Sequence, residues 1–249
     1  MTLFLLLACQ GPTSADAPLI DLGDIPRNLV DAADAGIVLD AWFTEPGTEK
    51  DGGEDPELDD ALIGLIAATT TTLDMSVFEL NEEGLIDAIL DAHDRGVIVR
   101  MTGDGDEDGH DGYAILQDAG IEISMRKPRD RIMHNKFMVA DGQVVWTGST
   151  NLTNNGVFRN NNNGLLIQSD DLAAHYTGEF EQMFTDTLFG RKKEDVNGTN
   201  QVDFREGEVE FWFSPEHNPV DVLVDLIDDA DVSVRFMVFS YPTRTCRTR

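Results

Sequence analysis

The stretch of sequence that decides the fold is His134-Asn135-Lys136-Phe137-Met138-Val139-Ala140-Asp141. Its apolar residues predict a β-strand, and on a strand the side chains of His134 and Lys136 leave the same face. Asp141-Gly142 then predicts a tight hairpin turn, and residues 143–147 predict the returning strand. We expect this hairpin to bring Ser149 and Asn151 back toward His134.

The groups gathered by the hairpin suit a phosphate better than a metal ion. An imidazole, an ammonium group and hydroxyl and amide donors complement phosphoryl oxygens, whereas a zinc site needs more His, Cys or carboxylate ligands at close spacing. Residues 104–109 match the first half of an EF-hand calcium loop, but the twelfth position is Ile115 where a Glu is required. We therefore predict no metal and no cofactor, and an acidic strand-to-helix loop at residues 104–109.

The spacing of these groups resembles the signature of the phospholipase D superfamily, His-x-Lys-x4-Asp-x6-Gly-Ser-x-Asn. All six specified positions are matched, by His134, Lys136, Asp141, Gly148, Ser149 and Asn151. A lone His-x-Lys pair occurs on many exposed strands, but six fixed positions at the right gaps are specific. The resemblance implies a phosphodiesterase and assigns a role to each of these residues.

In the roles implied by the resemblance, His134 attacks phosphorus and forms a covalent phosphohistidine, which splits one difficult displacement into two easier ones. Lys136 and Asn151 hold the nonbridging oxygens and stabilise the charge that develops on them. Ser149 and the Gly148 backbone add further short donors to the phosphate.

Two features of the motif leave alternatives open. Asp141 is grouped with the catalytic residues by the signature, and it either braces the hairpin or helps to set the local charge balance; we favour bracing. Family members often carry an acid after the motif that orients a catalytic histidine, but here residues 160–163 are four asparagines. Since an amide cannot stabilise an imidazolium as a carboxylate does, either this orienting role is missing or the asparagines form only a polar turn.

Helix and strand patterns alternate before and after the motif. Such alternation predicts an α/β layered fold. The resemblance implies a layered mixed sheet flanked by helices, as in phospholipase D-like proteins. The predicted strands are residues 73–80, 97–101, 121–125 and 164–167, and the predicted helices are residues 85–94, 113–118 and 169–184, with a further helix that starts near Asp55-Pro56.

Family enzymes bring two such motifs together, one histidine attacking while the other protonates the leaving oxygen, and this chain shows one motif. Leu62 and Phe78 recur as Leu223 and Phe239, each pair separated by 161 residues. We therefore predict a complete catalytic half at residues 21–200 and the start of a second copy, an incomplete repeat, at residues 201–249. On this hypothesis the chain is a truncated two-motif enzyme.

The N-terminal sequence Leu6-Leu7-Ala8-Cys9 resembles a bacterial lipobox, in which Cys9 is lipidated. It predicts a lipoprotein-type signal and tether at residues 1–20, a membrane partner through the lipid anchor, and a location in the bacterial cell envelope, lipid-anchored or secreted. The absence of a basic segment before the apolar run and the shortness of that run count against this interpretation.

The net charge bears on the choice of substrate. The chain carries 47 acidic and 18 basic side chains, a formal net charge of −29. Nucleic-acid binding relies on neutralisation of phosphates by Lys and Arg, so this balance disfavours nucleic acid as a partner. The predicted function is hydrolysis of phospholipid phosphodiester bonds through phosphohistidine. The alternatives are a single-motif, nuclease-like phosphodiesterase that completes its active site as a homodimer, and an inactive half-enzyme.

Overall fold

The computed structural model describes residues 3–7, 39–46, 57–107, 111–128, 131–196, 198–204 and 207–235. In chain order its elements are β1 (Leu3–Leu7), β2 (Leu39–Phe43), α1 (Glu57–Ala68), β3 (Thr72–Ser76), α2 (Glu83–Asp94), β4 (Ile98–Asp104), α3 (Asp111–Asp118), β5 (Glu122–Arg126), β6 (Phe137–Ala140), β7 (Val144–Gly148), α4 (Asn154–Phe158), β8 (Asn163–Gln168), α5 (Asp170–Phe184), β9 (Gln201–Phe204), β10 (Gly207–Trp212) and α6 (Pro219–Asp228). Cys9 and Phe239 lie outside the described residues.

A seven-stranded mixed sheet, in the order β2-β8-β7-β6-β3-β4-β5, forms the centre of the fold. Strands β3, β4 and β5 run parallel because α2 and α3 carry the chain back between them, while β6, β7, β8 and β2 are antiparallel. The predicted α/β fold with a mixed sheet and flanking helices is confirmed.

The apolar run of β6 is buried on both faces of the sheet. Met138 and Ala140 join a core that includes residues of α1, α2 and α3, whereas Phe137 and Val139 join a second core with residues of α5. Side chains alternate along an extended chain, so the same alternation assigns each residue just before β6 to one face of the sheet or the other.

The hairpin turn predicted at Asp141-Gly142 is confirmed. Both residues have positive φ angles, 51° and 67°, as a two-residue turn of the mirror-image type requires. The Gln143 amide donates to the Ala140 carbonyl at 3.0 Å and closes the turn.

Strand β3 is shorter than predicted and ends at Ser76, so residues 77–80 leave the sheet and become available to a site.

Helix α4 was not predicted, because its sequence, Asn-Asn-Gly-Val-Phe, consists of poor helix formers. The Thr153 side chain caps it by accepting from the Gly156 amide, and Val157 is buried beneath it.

A second, three-stranded sheet has the order β1-β10-β9. Phe211 on β10 and Phe213 just after it are buried against Tyr176 of α5, so residues beyond 201 pack on the helix that covers the main sheet. The sequence separation between α1 and α6 is about the one that the repeat predicts. The predicted domain boundaries remain predictions. None of the described helices combines the length and apolarity that crossing a bilayer requires.

Candidate active site

The strand register brings three chain segments to one edge of the sheet. Ser76, the last residue of β3, lies opposite Phe137, the first residue of β6, and Phe137 also lies opposite Thr147 near the end of β7. The residues after β3, before β6 and after β7 are therefore neighbours. These segments carry His134, Lys136, Ser149 and Asn151.

His134 and Lys136 pack against the same aromatic ring. The ring centroids of His134 and Phe78 lie 4.6 Å apart at an interplanar angle of 60°, and the Lys136 Nζ lies 5.0 Å from the Phe78 centroid. The Lys136 ammonium group also donates to the His134 carbonyl at 3.1 Å. The two side chains thus lie on one side of the chain. His134 reaches solvent but is covered on one side by Phe78, and Lys136 is half-buried.

The surroundings lower the pKa values of both groups. Burial, followed by the charge of Lys136, lowers the pKa of His134 to about 4, although Asp104 acts in the opposite direction. Burial lowers the pKa of Lys136 to about 8, although Glu79 raises it. Near pH 7 the imidazole is therefore neutral, with a lone pair free for nucleophilic attack, while the ammonium group remains mostly charged.

Glu79 and Asn151 connect the segments after β3 and after β7. The Asn151 Nδ2 donates to the Glu79 Oε2 at 2.6 Å, and the Leu152 amide donates to the Glu79 carbonyl at 3.2 Å. Glu79 therefore orients Asn151 at the edge that carries Lys136. The sequence signal for Glu79 was only its position at the end of a predicted strand.

Gly148 and Ser149 pack closely against the first residue of β8. A Cβ on Gly148 would lie 2.2 Å from the Asn163 carbonyl oxygen, so this motif position admits only glycine without a backbone shift. The Ser149 hydroxyl donates to the Asn162 Oδ1 at 2.9 Å and accepts from the Asn163 amide at 3.1 Å. Asn162 and Asn163 thus hold Ser149 in place, a role additional to the polar turn that the sequence suggested.

Buried polar groups that the sequence did not single out hold the site segments in place. The Tyr113 hydroxyl, on α3, donates to the Val77 carbonyl at 2.7 Å, next to Phe78. The Asp104 carboxylate accepts from the Met133 amide and from the Arg126 Nε, each at 2.6 Å. Both Asp104 and Arg126 are completely buried. The only signal for this pair was the position of Asp104 at the start of the acidic loop of residues 104–109.

Two carboxylates of the acidic loop that resembled a calcium site bind Arg126. Asp104 and Asp106 both form ion pairs with this guanidinium group. Within the described ranges, which omit residues 108–110, no group of three or more His, Cys, Asp or Glu side chains is arranged to hold a metal ion.

Asp141 lies at the opposite end of β6 from His134 and Lys136. Its carboxylate accepts hydrogen bonds from the amides of Thr70, Thr71 and Thr72 and from the hydroxyls of Thr70 and Thr71, at 2.7–2.9 Å. The structure does not bring Asp141 to the site with the other motif residues. Its geometry fits the bracing role, because it joins the hairpin turn to the loop before β3.

Comparison with known sequences finds a family model and relatives that resemble the part of the chain carrying these residues. The sequence model described as "Cardiolipin synthase, PLD-like domain" matches residues 62–184. A mitochondrial cardiolipin hydrolase of Chlamydomonas reinhardtii is 31% identical over 121 residues, 48% of this chain and 54% of that protein. The human protein of the same name is 32% identical over 126 residues, 49% of each chain. The chain thus spans about half the length of these relatives.

A solved structure shares the fold. The phospholipase D family member Nuc from Salmonella typhimurium superposes with a TM-score of 0.51 at 20% identity, over 60% of this chain and 95% of that chain. At this level of identity the likeness concerns the fold alone.

The predicted location in the bacterial cell envelope is wrong by this comparison. The relatives that match the chain are eukaryotic proteins, and their names call them mitochondrial. The lipobox resemblance rested on a few residues around Cys9, a weak signal that many apolar leaders contain by chance.

Replacing Asp141 tests its bracing role. Asp141→Asn tolerates the positive φ but weakens the acceptor of five hydrogen bonds, so we expect the free energy of unfolding to fall by about 1–3 kcal/mol. The hydrogen bonds hold the pKa of Asp141 below its usual value. The difference between wild type and variant should therefore persist at neutral pH and shrink as the pH falls through that lowered pKa. Denaturant unfolding at several pH values measures it, and equal stabilities at pH 7 would contradict the role.

Nuclear magnetic resonance titration tests the electrostatics of the site. We expect midpoints near pH 4 for His134 and near pH 8 for Lys136. Glu79→Gln removes a negative charge that raises the pKa of Lys136, so the Lys136 midpoint should move lower. Glu83→Gln, which neutralises an exposed acid at the start of α2, is the matched control and should leave the midpoint unchanged. A Lys136 midpoint that responds equally to both variants would refute the specific role of Glu79.

Proposed function

We propose that this chain, a phospholipase D-like protein by its match to the family model over residues 62–184, is a phosphodiesterase that cleaves phospholipid phosphodiester bonds through a phosphohistidine intermediate. The observation that carries the proposal is the pairing of a neutral imidazole with a partly desolvated ammonium group on one exposed sheet edge. The imidazole supplies a nucleophile at neutral pH, and the ammonium group supplies positive charge for the phosphoryl oxygens.

In the proposed first step the His134 imidazole attacks phosphorus. A phosphorus–nitrogen bond forms, the bond to the leaving oxygen breaks, and the charge on the nonbridging oxygens is stabilised by Lys136. The amide of Asn151, oriented by Glu79, adds a donor. In the second step water gives a proton to the group that protonated the leaving oxygen and attacks phosphorus, the phosphorus–nitrogen bond breaks, and the phosphate product is released.

The leaving oxygen needs a proton from a second acid. The other described histidines lie elsewhere: His93 is in the last turn of α2, and the rings of His175 and His217 pack on Phe211 and Phe213. We propose that a second copy of the chain supplies this proton donor from its own His134, whose pKa the negative charge of the bound phosphodiester would raise so that it is protonated. Activity per chain should then rise with protein concentration as the dimer forms.

A phospholipid is the substrate class that the chain's charge favours. A net charge of −29 opposes the wrapping of a nucleic-acid backbone, which requires many phosphate contacts, while one lipid phosphodiester requires only a local positive site. The relatives are named for cardiolipin, a phospholipid with phosphodiester bonds.

Hydrolysis assays on vesicles that contain cardiolipin test the function. We expect wild-type turnover, a loss of more than about 10³-fold in His134→Ala because the nucleophile is removed, and a phosphoryl adduct on His134 by mass spectrometry after alkaline quenching. His93→Ala, a histidine on α2, is the control and should retain turnover.

Two outcomes would contradict the proposal. Turnover that survives in His134→Ala would exclude the phosphohistidine mechanism. Cleavage of single-stranded DNA, with cardiolipin left intact, would replace the lipid substrate with nucleic acid.

A further inference from the structure

A buried charge cluster lies beneath the segment that carries His134 and Lys136. It consists of Glu179 on α5, Lys193 in the connector after α5 and Glu216 in the loop after β10. The Lys193 Nζ forms ion pairs with both carboxylates, at 2.9 Å from the Glu216 Oε1, and the three side chains are 1–3% exposed. We call these residues the carboxylate cluster.

Asn135 links the carboxylate cluster to the site. Its Nδ2 donates to the Glu179 Oε1 at 2.9 Å, and Asn135 is only 6% exposed. Asn135 lies between His134 and Lys136, and side chains alternate in an extended segment. Its amide therefore points to the α5 side, while its two neighbours point to the opposite side and contact Phe78.

The segment needs such an attachment because the sheet does not hold it. Strand β6 begins at Phe137, so residues 134–136 lie outside the pairing of β6 with β3 and β7. On either side of His134, the Met133 amide is bound to Asp104 and the Asn135 side chain is bound to Glu179, with a further contact at 3.9 Å from the Asn135 Nδ2 to the Met183 Sδ. A shift of either attachment would move the imidazole relative to Lys136.

Burying these three charged side chains away from water carries a high free-energy cost. Two carboxylates share one ammonium group away from water, and removal of one partner of such a group leaves an uncompensated charge. Burial raises the pKa of Glu179 to about 7, with Lys193 acting against burial and Glu216 acting with it. The ion pair with Lys193 holds the Glu179 carboxylate in one place.

We propose that Glu179 is a positioning residue, which fixes His134 and Lys136 through Asn135 and is itself held by Lys193 and Glu216. This inference rests on the proposed function, in which His134 is the nucleophile. Lys193 and Glu216 lie beyond residues 62–184, which the family model matches. Segments outside the matched domain would therefore set the geometry of its nucleophile.

The test compares variants of the full chain by two measurements. Asn135→Leu removes the amide at similar volume, and Lys193→Met removes the cation that holds Glu179. The matched control is Gln182→Leu, which breaks the neighbouring bond between α5 and the connector, from the Glu194 amide to the Gln182 Oε1 at 2.7 Å, without touching Asn135. The measurements are kcat on cardiolipin vesicles and the ring-proton resonances of His134, which report its position over Phe78 and are assigned with His134→Gln.

We expect Asn135→Leu and Lys193→Met to shift the His134 resonances and to lower kcat by about tenfold or more, since small misplacements of a nucleophile are costly. Gln182→Leu should leave both unchanged even if its Tm falls as far. Unchanged His134 resonances in Asn135→Leu would overturn the inference, as would equal effects of all three variants. If Asn135→Leu does not fold, Lys193→Met decides by the same criteria.

The two proposals fail separately. If the wild-type chain hydrolyses no phosphodiester, the proposed function is wrong, and the resonances of His134 alone still decide whether Glu179 positions it.

Discussion

The structure depends on one constraint, the antiparallel register of β6 between β3 and β7. Ser76 opposite Phe137, and Phe137 opposite Thr147, bring three separate segments to one sheet edge. A shift by a single residue would exchange the two faces of β6. The buried residues Phe137 and Met138 would then lie in the wrong cores, so the hydrophobic packing that stabilises the sheet also determines where the imidazole and the ammonium group meet.

The local electrostatics of this edge differ from those of the whole chain. A protein with a net charge of −29 presents a cation and an imidazole on one aromatic ring, with Glu79 as the acid that acts on Lys136. Partial burial lowers the pKa values of both basic groups in the direction that favours their neutral forms. For His134 this provides the lone pair that attack on phosphorus requires, and Glu79 limits the same effect on Lys136.

The attachments of the site reach far along the chain. Tyr113, Asp104 and Glu179 hold the backbone or side chains next to Phe78, His134 and Lys136 from α3, β4 and α5. Lys193 and Glu216 extend this support beyond the segment that the family comparison covers. Helices α1 and α6, which the predicted repeat would relate, lie in different surroundings. Leu62 and Leu65 are completely buried, whereas Leu223 and Leu226 on α6 are only partly buried.

The sequence alone determined the α/β class, most helices, the Asp141-Gly142 turn and the six motif positions, because hydrophobic periodicity, turn chemistry and motif spacing are local signals. Only the tertiary structure separated Asp141 from the site, bound Asp104 to Arg126, and paired Asn135 with Glu179, 44 positions apart. These contacts join residues that are distant in sequence and carry no local pattern. Helix α4 was missed for a different reason, since burial of Val157 and the local Thr153 cap outweigh its poor helix propensity.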